Sequence, residues 1–207
     1  LGAKVLHPRS VELAMAWNVP LQVLSSFDKK LGSDFPGTQI VREEDILEKQ
    51  IVNGVTCSRN DSKVTLISVP DHPGIVASIF TPLSAAFINV DMIVQNVSPD
   101  GKSTDVTFTV PRADAEKTKH LIEDIPEMKG CSIRTANNLG KVSIIGSGMR
   151  SHTGVACTMF NAMADNGINI LAITTSEIKI SVLIEDKYTE LAVRALHTAF
   201  RLDIDAA

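Results

Sequence analysis

The sequence of 207 residues contains a stretch that occurs twice, and this repeat limits the folds that the chain can adopt. The first copy covers residues 63–96 and the second covers residues 141–176, each opening on Lys-Val. Both copies continue into a His-x-Gly turn, at His72 and His152, and both later contain an Ile-Asn pair. A period of roughly eighty residues is too long for a solenoid unit and is typical of a small domain used twice.

Each copy has the pattern strand, helix, strand, strand, helix. In the first copy, alternating residues 64–69 predict a strand, and the turn at 99–101 separates two further alternating stretches. A helix over about 113–124 closes the copy, and residues 131–136 can supply a fourth strand, which makes a ferredoxin-like βαββαβ unit. The first helix is predicted from apolar residues at helical spacing: Val76, Ile79, Phe80, Leu83 and Phe87.

The second copy lacks a fourth strand, because few residues follow its last helix at about 188–200. A spare alternating stretch lies at residues 50–57, ahead of the first copy. We therefore predict an α+β fold of two such units, the first inserted into the second. The first domain would cover residues 63–137, and the second would combine residues 50–62 with 138–207.

The composition, with 44% hydrophobic and 21% charged residues, is typical of an ordinary soluble protein, and the cysteines are expected to be reduced thiols of a cytoplasmic protein. A net charge of −4 and the lack of an apolar run of membrane-spanning length argue against nucleic-acid and membrane partners. An RNA-binding βαββαβ domain is disfavoured because only 4% of the residues are aromatic. The three widely spaced cysteines suggest neither a disulfide framework nor a zinc site, so no metal is expected. The chain begins Leu-Gly, and we expect it to be a piece of a longer protein.

The two helix starts are suited to binding a free amino acid. The first amides of a helix lie at the positive end of its dipole, where they can bind a carboxylate. In the two copies these amides belong to Gly74, Ile75 and Val76, and to Gly154, Val155 and Ala156. Acceptors for the ammonium group follow each helix: Asn89, Asp91 and Gln95 in the first copy, and Asn169, Ser176 and Glu177 in the second.

Most of these residues also have a purely structural interpretation. Asp71 and Ser151 are natural N-caps of their helices, and an Asn can stabilise the turn from helix to strand. Gln95 lies late in an apolar strand, so its amide would need a partner if it were buried. Pro82 would kink the first helix or end it early.

The first fifty residues contain too few elements for a core of their own. Residues 10–17 predict a helix capped by Ser10, residues 21–27 a strand, and residues 28–37 a loop. Residues 2–9 (GAKVLHPR) and 37–40 (GTQI) resemble the tail of the catalytic domain of aspartate kinases. The repeat resembles the paired ACT regulatory domains of that family at four motifs: residues 69–74, 89–96, 151–154 and 175–178.

The resemblance implies that residues 1–49 are a remnant of an α/β amino-acid-kinase domain with its linker. It implies a parent enzyme that uses ATP and magnesium to phosphorylate aspartate, the first step toward lysine, threonine and methionine. No catalytic residue and no cofactor is expected in this region itself. The implied partners are lysine or threonine as feedback effectors, a second copy paired through the ACT domains, and the kinase catalytic domain. A free-standing ACT module for amino-acid binding or dimerisation is the alternative, and the kinase-like tail argues against it.

The resemblance also implies two effector pockets. The threonine-like pocket would consist of Asp71, Gly74, Ile75, Val76, Gln95, Asn169 and Ile170. The lysine-like pocket would consist of Met149, Ser151, His152, Thr153, Gly154, Val155, Asp91, Ser176 and Glu177. Thr153 departs from the family pattern, because several relatives have Pro there, as this chain has at Pro73.

Overall fold

A computed structural model describes residues 5–27, 37–40, 51–98, 101–146, 149 and 153–202. The chain forms two compact units, residues 1–51 and 52–207. The link over residues 41–50, most of the predicted loop over 28–37 and two residues of the predicted turn at 99–101 lie outside the described residues. In the described part, no helix is long and apolar enough to cross a membrane, and no three His, Cys, Asp or Glu side chains are grouped to hold a metal ion.

The first unit contains a short helix and a two-stranded antiparallel ladder. Helix α1 spans Pro8–Ala16, and strands β1 (Leu21–Val23) and β2 (Thr38–Ile40) pair with each other. The prediction that Ser10 caps the helix is wrong, because the helix begins at Pro8 with His7 as its N-cap. Proline suits this first position, where no intrahelical partner for an N–H exists and its fixed φ is already helical. Strand β1 is also shorter than the predicted 21–27.

The described part of the second unit is an α+β fold with one antiparallel sheet of six strands. The sheet order is β4-β5-β3-β6-β8-β7. The predicted fold class of two βαββαβ units is therefore confirmed. Its strands are β3 (Gly54–Pro70), β4 (Asp91–Val97), β5 (Ser103–Pro111), β6 (Ser132–Ile145), β7 (Ala172–Thr175) and β8 (Lys179–Glu185). Its helices are α2 (Ile75–Ala85), α3 (Ala115–Glu123), α4 (Val155–Asp165) and α5 (Thr189–Ala199).

Strands β3 and β6 each pass through both repeats. Residues 61–70 of β3 pair with β5 in the first repeat. Residues 54–58 pair instead with residues 141–145 of β6, which open the second repeat and continue into its ladder with β8. Register shifts between Ser58 and Lys63 mark the change from one repeat to the other. The stretch ahead of the first repeat thus supplies a strand to the second, although that strand begins at Gly54 and not at residue 50.

Side-chain contacts also link the first part of β3 to the second repeat. Arg59 of β3 binds the start of α5, with Nε 3.3 Å from Asp186 Oδ1 and Nη2 3.1 Å from Glu190 Oε1. The first repeat has a matching link in which the arginine lies ahead of the helix and not on the strand. Arg112 Nη2 donates to the Asn137 carbonyl at 2.6 Å. Arg59 and Asn137 are therefore tied to the segments that lead into α5 and α3.

The sheet packs its helix-facing side chains into a core in each repeat. In the first repeat Phe108 is fully buried, and its ring meets Phe80 edge-on with 5.1 Å between ring centroids. Helix α2 continues three residues past Pro82, so the predicted early end does not occur. Phe87 was expected on the buried helix face, but it lies beyond the helix end with φ 58° and is 94% exposed. The second core includes the fully buried residues Ile144, Met159, Met163, Ile184 and Leu196.

A close approach between β6 and α5 shows how tightly the second repeat is packed. Gly140 is buried in β6, and a Cβ at this position would overlap Thr189 Oγ1 and lie 3.2 Å from Thr189 Cβ. The repeat alignment places Ser62 and Ala115 at the equivalent positions, so the larger side chain lies on the strand in one repeat and on the helix in the other. Helix α5 can approach β6 this closely only because residue 140 has no side chain.

Candidate functional site

Both helix starts have the same backbone conformation, which is set by a glycine. Gly74 and Gly154 are the N-caps of α2 and α4, with φ of 97° and 99°, and neither start has a side-chain capping bond. The prediction that Asp71 caps α2 is therefore wrong, and Ser151 lies outside the described residues. Among the described atoms, none lies within 4 Å of a Cβ built on either glycine. The helix starts are thus open to a small ligand on this side.

The amides at the start of α2 are not all available to a ligand. The Ile75 N–H donates to the His72 carbonyl at 3.2 Å. The Asp71 N–H donates to the Lys102 carbonyl at 3.1 Å, which ties this turn to the β4–β5 hairpin. A carboxylate at this helix start would therefore be bound by the amides of Gly74 and Val76.

The remaining residues of the threonine-like set lie on other elements. Gln95 is in the edge strand β4 opposite Val106, and its side chain is exposed. Its amide therefore does not need a buried partner, which was the condition attached to its prediction. Asn169 is exposed and Ile170 is half-buried, both in the turn between α4 and β7. The set is thus spread over the start of α2, strand β4 and this turn.

Three residues of the lysine-like set line one pocket. Met149, Ser176 and Glu177 surround a cavity of about 370 Å³, together with Thr175 and Ile180. Ser176 is held in the β7–β8 turn because its N–H donates to the Lys179 carbonyl at 2.7 Å. The pocket combines a carboxylate, a hydroxyl and apolar side chains. Of the other members of the set, Thr153 and Gly154 are exposed and Val155 is buried. Ser151 and His152 lie outside the described residues.

Asp91, the other acidic residue of that set, is held by charged and backbone groups. Its Oδ2 lies 3.0 Å from Lys141 Nζ, and its Oδ1 accepts a hydrogen bond from the Met92 N–H at 2.8 Å. Burial opposes ionisation of Asp91, but Lys141 and the Met92 amide outweigh it and hold the pKa of this carboxyl below its ordinary value. Burial likewise opposes the charge of Lys141, while Asp91 and Asp61 raise its pKa above the ordinary value. Asp91 and Lys141 are therefore both charged at neutral pH.

A second groove, which the sequence did not predict, lies between α2 and β4. It has a volume of about 580 Å³ and is mostly apolar. Its exposed apolar side chains include Phe87 and Ile93, which is 54% exposed. The signal in the sequence was an apolar residue, Phe87, just past the helix end, but helical spacing assigned it to the core. The groove is lined by Phe80, Ser84, Phe87, Ile88, Asn89, Val90 and Ile93.

Known proteins match both repeats and the whole chain. ACT-domain family profiles match residues 63–127 and 142–200. An aspartate kinase of Pseudomonas putida is 50% identical over 208 residues, which cover 100% of this chain and 49% of that protein. The chain thus spans about half the length of this relative.

Two solved structures match most of the chain. A chain in the crystal structure of aspartokinase alpha and beta subunits is 44% identical with a TM-score of 0.67, over 72% of this chain and 99% of that one. The regulatory subunit of aspartate kinase from Thermus thermophilus, in a ligand-free form, is 38% identical with a TM-score of 0.67 and the same coverage.

The fold and these matches define a protein built on a pair of ACT domains. This pair contains the two strands that pass through both repeats, the glycine helix starts and the pocket at the β7–β8 turn. The chain belongs to the aspartate kinase family, in which it corresponds to the regulatory part.

Proposed function

We propose that this chain is the effector-binding region of an aspartate kinase and that it binds lysine, with threonine as a second effector. The single observation that carries the proposal is the pocket lined by Met149, Ser176 and Glu177. Its volume of about 370 Å³ lies in the range of small-ligand sites. Glu177 would bind an ammonium group of lysine, and the apolar lining would contact the methylene chain. The glycine start of α4 at Gly154 would provide amides for the carboxylate.

The activity that this region would control belongs to the catalytic domain of the parent enzyme. That domain would transfer phosphate from ATP, with magnesium, to the side-chain carboxylate of aspartate, and lysine and threonine would inhibit it as end products. We propose that residues 1–49 are its tail and linker, and that the ACT domains are 63–137 and 50–62 with 138–207. Effector binding would shift the kinase toward an inactive state only by its differential affinity for the two states. The three cysteines are unpaired, which fits a reducing cytoplasm.

The groove between α2 and β4 supports a homodimer through the ACT domains. Phe87, Ile93 and Val97 expose apolar surface along the edge strand β4, and edge strands of small sheets are commonly covered. Dimerisation through this edge would place Gln95 close to the second copy. The threonine-like set would then be completed between two chains, which accounts for its being spread over three elements within one chain.

We expect Glu177→Gln to weaken lysine binding by about 10- to 100-fold, because a hydrogen bond to a charged group contributes about 1.5 to 3 kcal/mol. Calorimetric titration of the chain with lysine, threonine, methionine and aspartate measures this directly. Glu116→Gln, an exposed glutamate in the first turn of α3, is the matched control and should leave lysine affinity unchanged. Equal lysine affinity in the wild type and in Glu177→Gln would contradict the assignment of this pocket. Full-length enzyme that is equally active with and without both amino acids would contradict feedback control.

A further inference from the structure

A cluster of charged side chains joins the two repeats directly. Lys141 Nζ, in the second repeat, lies 3.1 Å from Asp61 Oδ1, where β3 passes from one repeat to the other, and 3.0 Å from Asp91 Oδ2 in the first repeat. The side chains of Lys141 and Asp61 are only 17% and 13% exposed, so water screens their attraction poorly. Asp91 is 51% exposed and is also attracted, more weakly, by Lys179.

The cluster is asymmetric, although the repeats are related by sequence. Lys63 is the counterpart of Lys141 in the first repeat. Leu139 and Leu171 occupy the positions equivalent to Asp61 and Asp91, so the second repeat has no matching carboxylates for Lys63. Leu139 and Leu171 instead pack with Met92 and Leu183 in an apolar cluster that also spans the repeats. The repeats therefore meet through an ionic contact and an adjacent apolar contact.

The ionic contact joins strands that lead to the two candidate effector sites, and Asp91 itself belongs to the lysine-like set. Lys141 is in β6, whose end at Ile145 is four residues ahead of Met149 in the lysine-like pocket. Asp91 is the first residue of β4, the strand that carries Gln95 of the threonine-like set. A change of strand orientation at either site would alter the distance between the Lys141 and Asp91 side chains.

We propose that Lys141 is a positioning residue that fixes the mutual orientation of the two repeats by binding Asp61 and Asp91, and that it thereby couples the two effector sites. The second half of this statement rests on the proposed function. The first half depends only on the contacts between the repeats.

A double-mutant cycle of Lys141→Met and Asp91→Asn tests the first half through urea unfolding of the chain. Each single variant should lower the folding equilibrium constant by about tenfold, because it leaves a poorly hydrated charge without its partner. The double variant should lose little more than either single variant. Lys141→Arg should recover most of the loss, and Lys63→Met should change the constant less than about threefold. Additive losses in the double variant would overturn the contact as an energetic link.

The second half is tested by measuring lysine affinity with and without saturating threonine. In the wild type we expect the two affinities to differ by at least about fivefold. In Lys141→Met the ratio should fall to about one, whereas Lys63→Met should keep the wild-type ratio. A ratio of one in the wild type, or an unchanged ratio in Lys141→Met, would overturn the coupling. If the wild type binds neither amino acid, the proposed function fails and the coupling fails with it, while the double-mutant cycle still decides the first half.

Discussion

Gly140→Ala is expected to lower the free energy of unfolding by about 1 to 3 kcal/mol, because the added methyl group would overlap Thr189 Oγ1 at the close approach of β6 and α5. Both partners are backbone-anchored in regular elements, so the overlap can be relieved only by moving the helix or the strand. Urea unfolding monitored by far-ultraviolet circular dichroism gives the change. The backbone conformation itself tolerates alanine, since Gly140 is not among the described residues with positive φ.

A second substitution, at Thr189, should restore part of the stability lost in Gly140→Ala. Thr189→Ala removes the atoms that the new methyl group would meet, and Ala115 already occupies the equivalent position in the first repeat opposite Ser62. The double variant Gly140→Ala with Thr189→Ala should therefore be more stable than Gly140→Ala alone. Gly54→Ala is the control, because no described atom lies within 4 Å of a Cβ there, and it should change stability by less than about 1 kcal/mol. A loss at Gly140 that Thr189→Ala does not reduce would contradict the steric explanation.

Phe108→Ala should have the largest effect on stability, about 3 to 5 kcal/mol, because it leaves a cavity beneath Phe80 in the first core. We expect the loss to destabilise both repeats together. The strands β3 and β6 run through both repeats, so unfolding of the first repeat removes residues 54–58 from the second. Val182→Ala, at the equivalent position of the second repeat, should cost about 2 kcal/mol and likewise affect both repeats.

Hydrogen exchange resolves this prediction strand by strand. In Phe108→Ala, amides of the β4–β5 ladder and of the β7–β8 ladder should lose protection by similar factors. The comparison is between the variant and the wild type under the same conditions. Faster exchange confined to β4 and β5, with β7 and β8 unchanged, would show that the repeats unfold independently despite the shared strands.

The repeat made it possible to predict that the stretch ahead of the first copy completes the second copy. The side-chain contacts between the repeats could not be predicted in this way. A second copy that lacks a fourth strand, preceded by a spare alternating stretch, has few ways to complete its sheet. The fusion into strands of 17 and 14 residues was not predicted, because residues 58–62 (SRNDS) and 137–140 (NNLG) have the composition of loops. The ion cluster was missed for a different reason. Lys141 lies 50 residues from Asp91 and 80 from Asp61 along the chain, and alternation within one strand does not report such contacts.

Some features of the candidate site could be predicted from local sequence and others could not. The glycine helix starts followed from local sequence, since a His-x-Gly turn before an apolar helix suits a residue with positive φ. The cap at Asp71 was wrong because Gly74 occupies the cap position itself. The grouping of Met149 with Ser176 and Glu177 came from resemblance, because physical reasoning from the sequence had placed only Ser176 and Glu177 in a site.

The shared strands also restrict how such a regulatory region can be inherited or transplanted. Residues 54–58 complete the second repeat although they precede the first in the chain, so a piece that begins between the repeats would leave the second repeat with three strands and an unpaired edge. Recombination at the boundary between the repeats would separate the second repeat from this strand. Enzyme chimaeras that aim to change effector response should therefore exchange residues 52–202 as one block, with the crossover ahead of Val52.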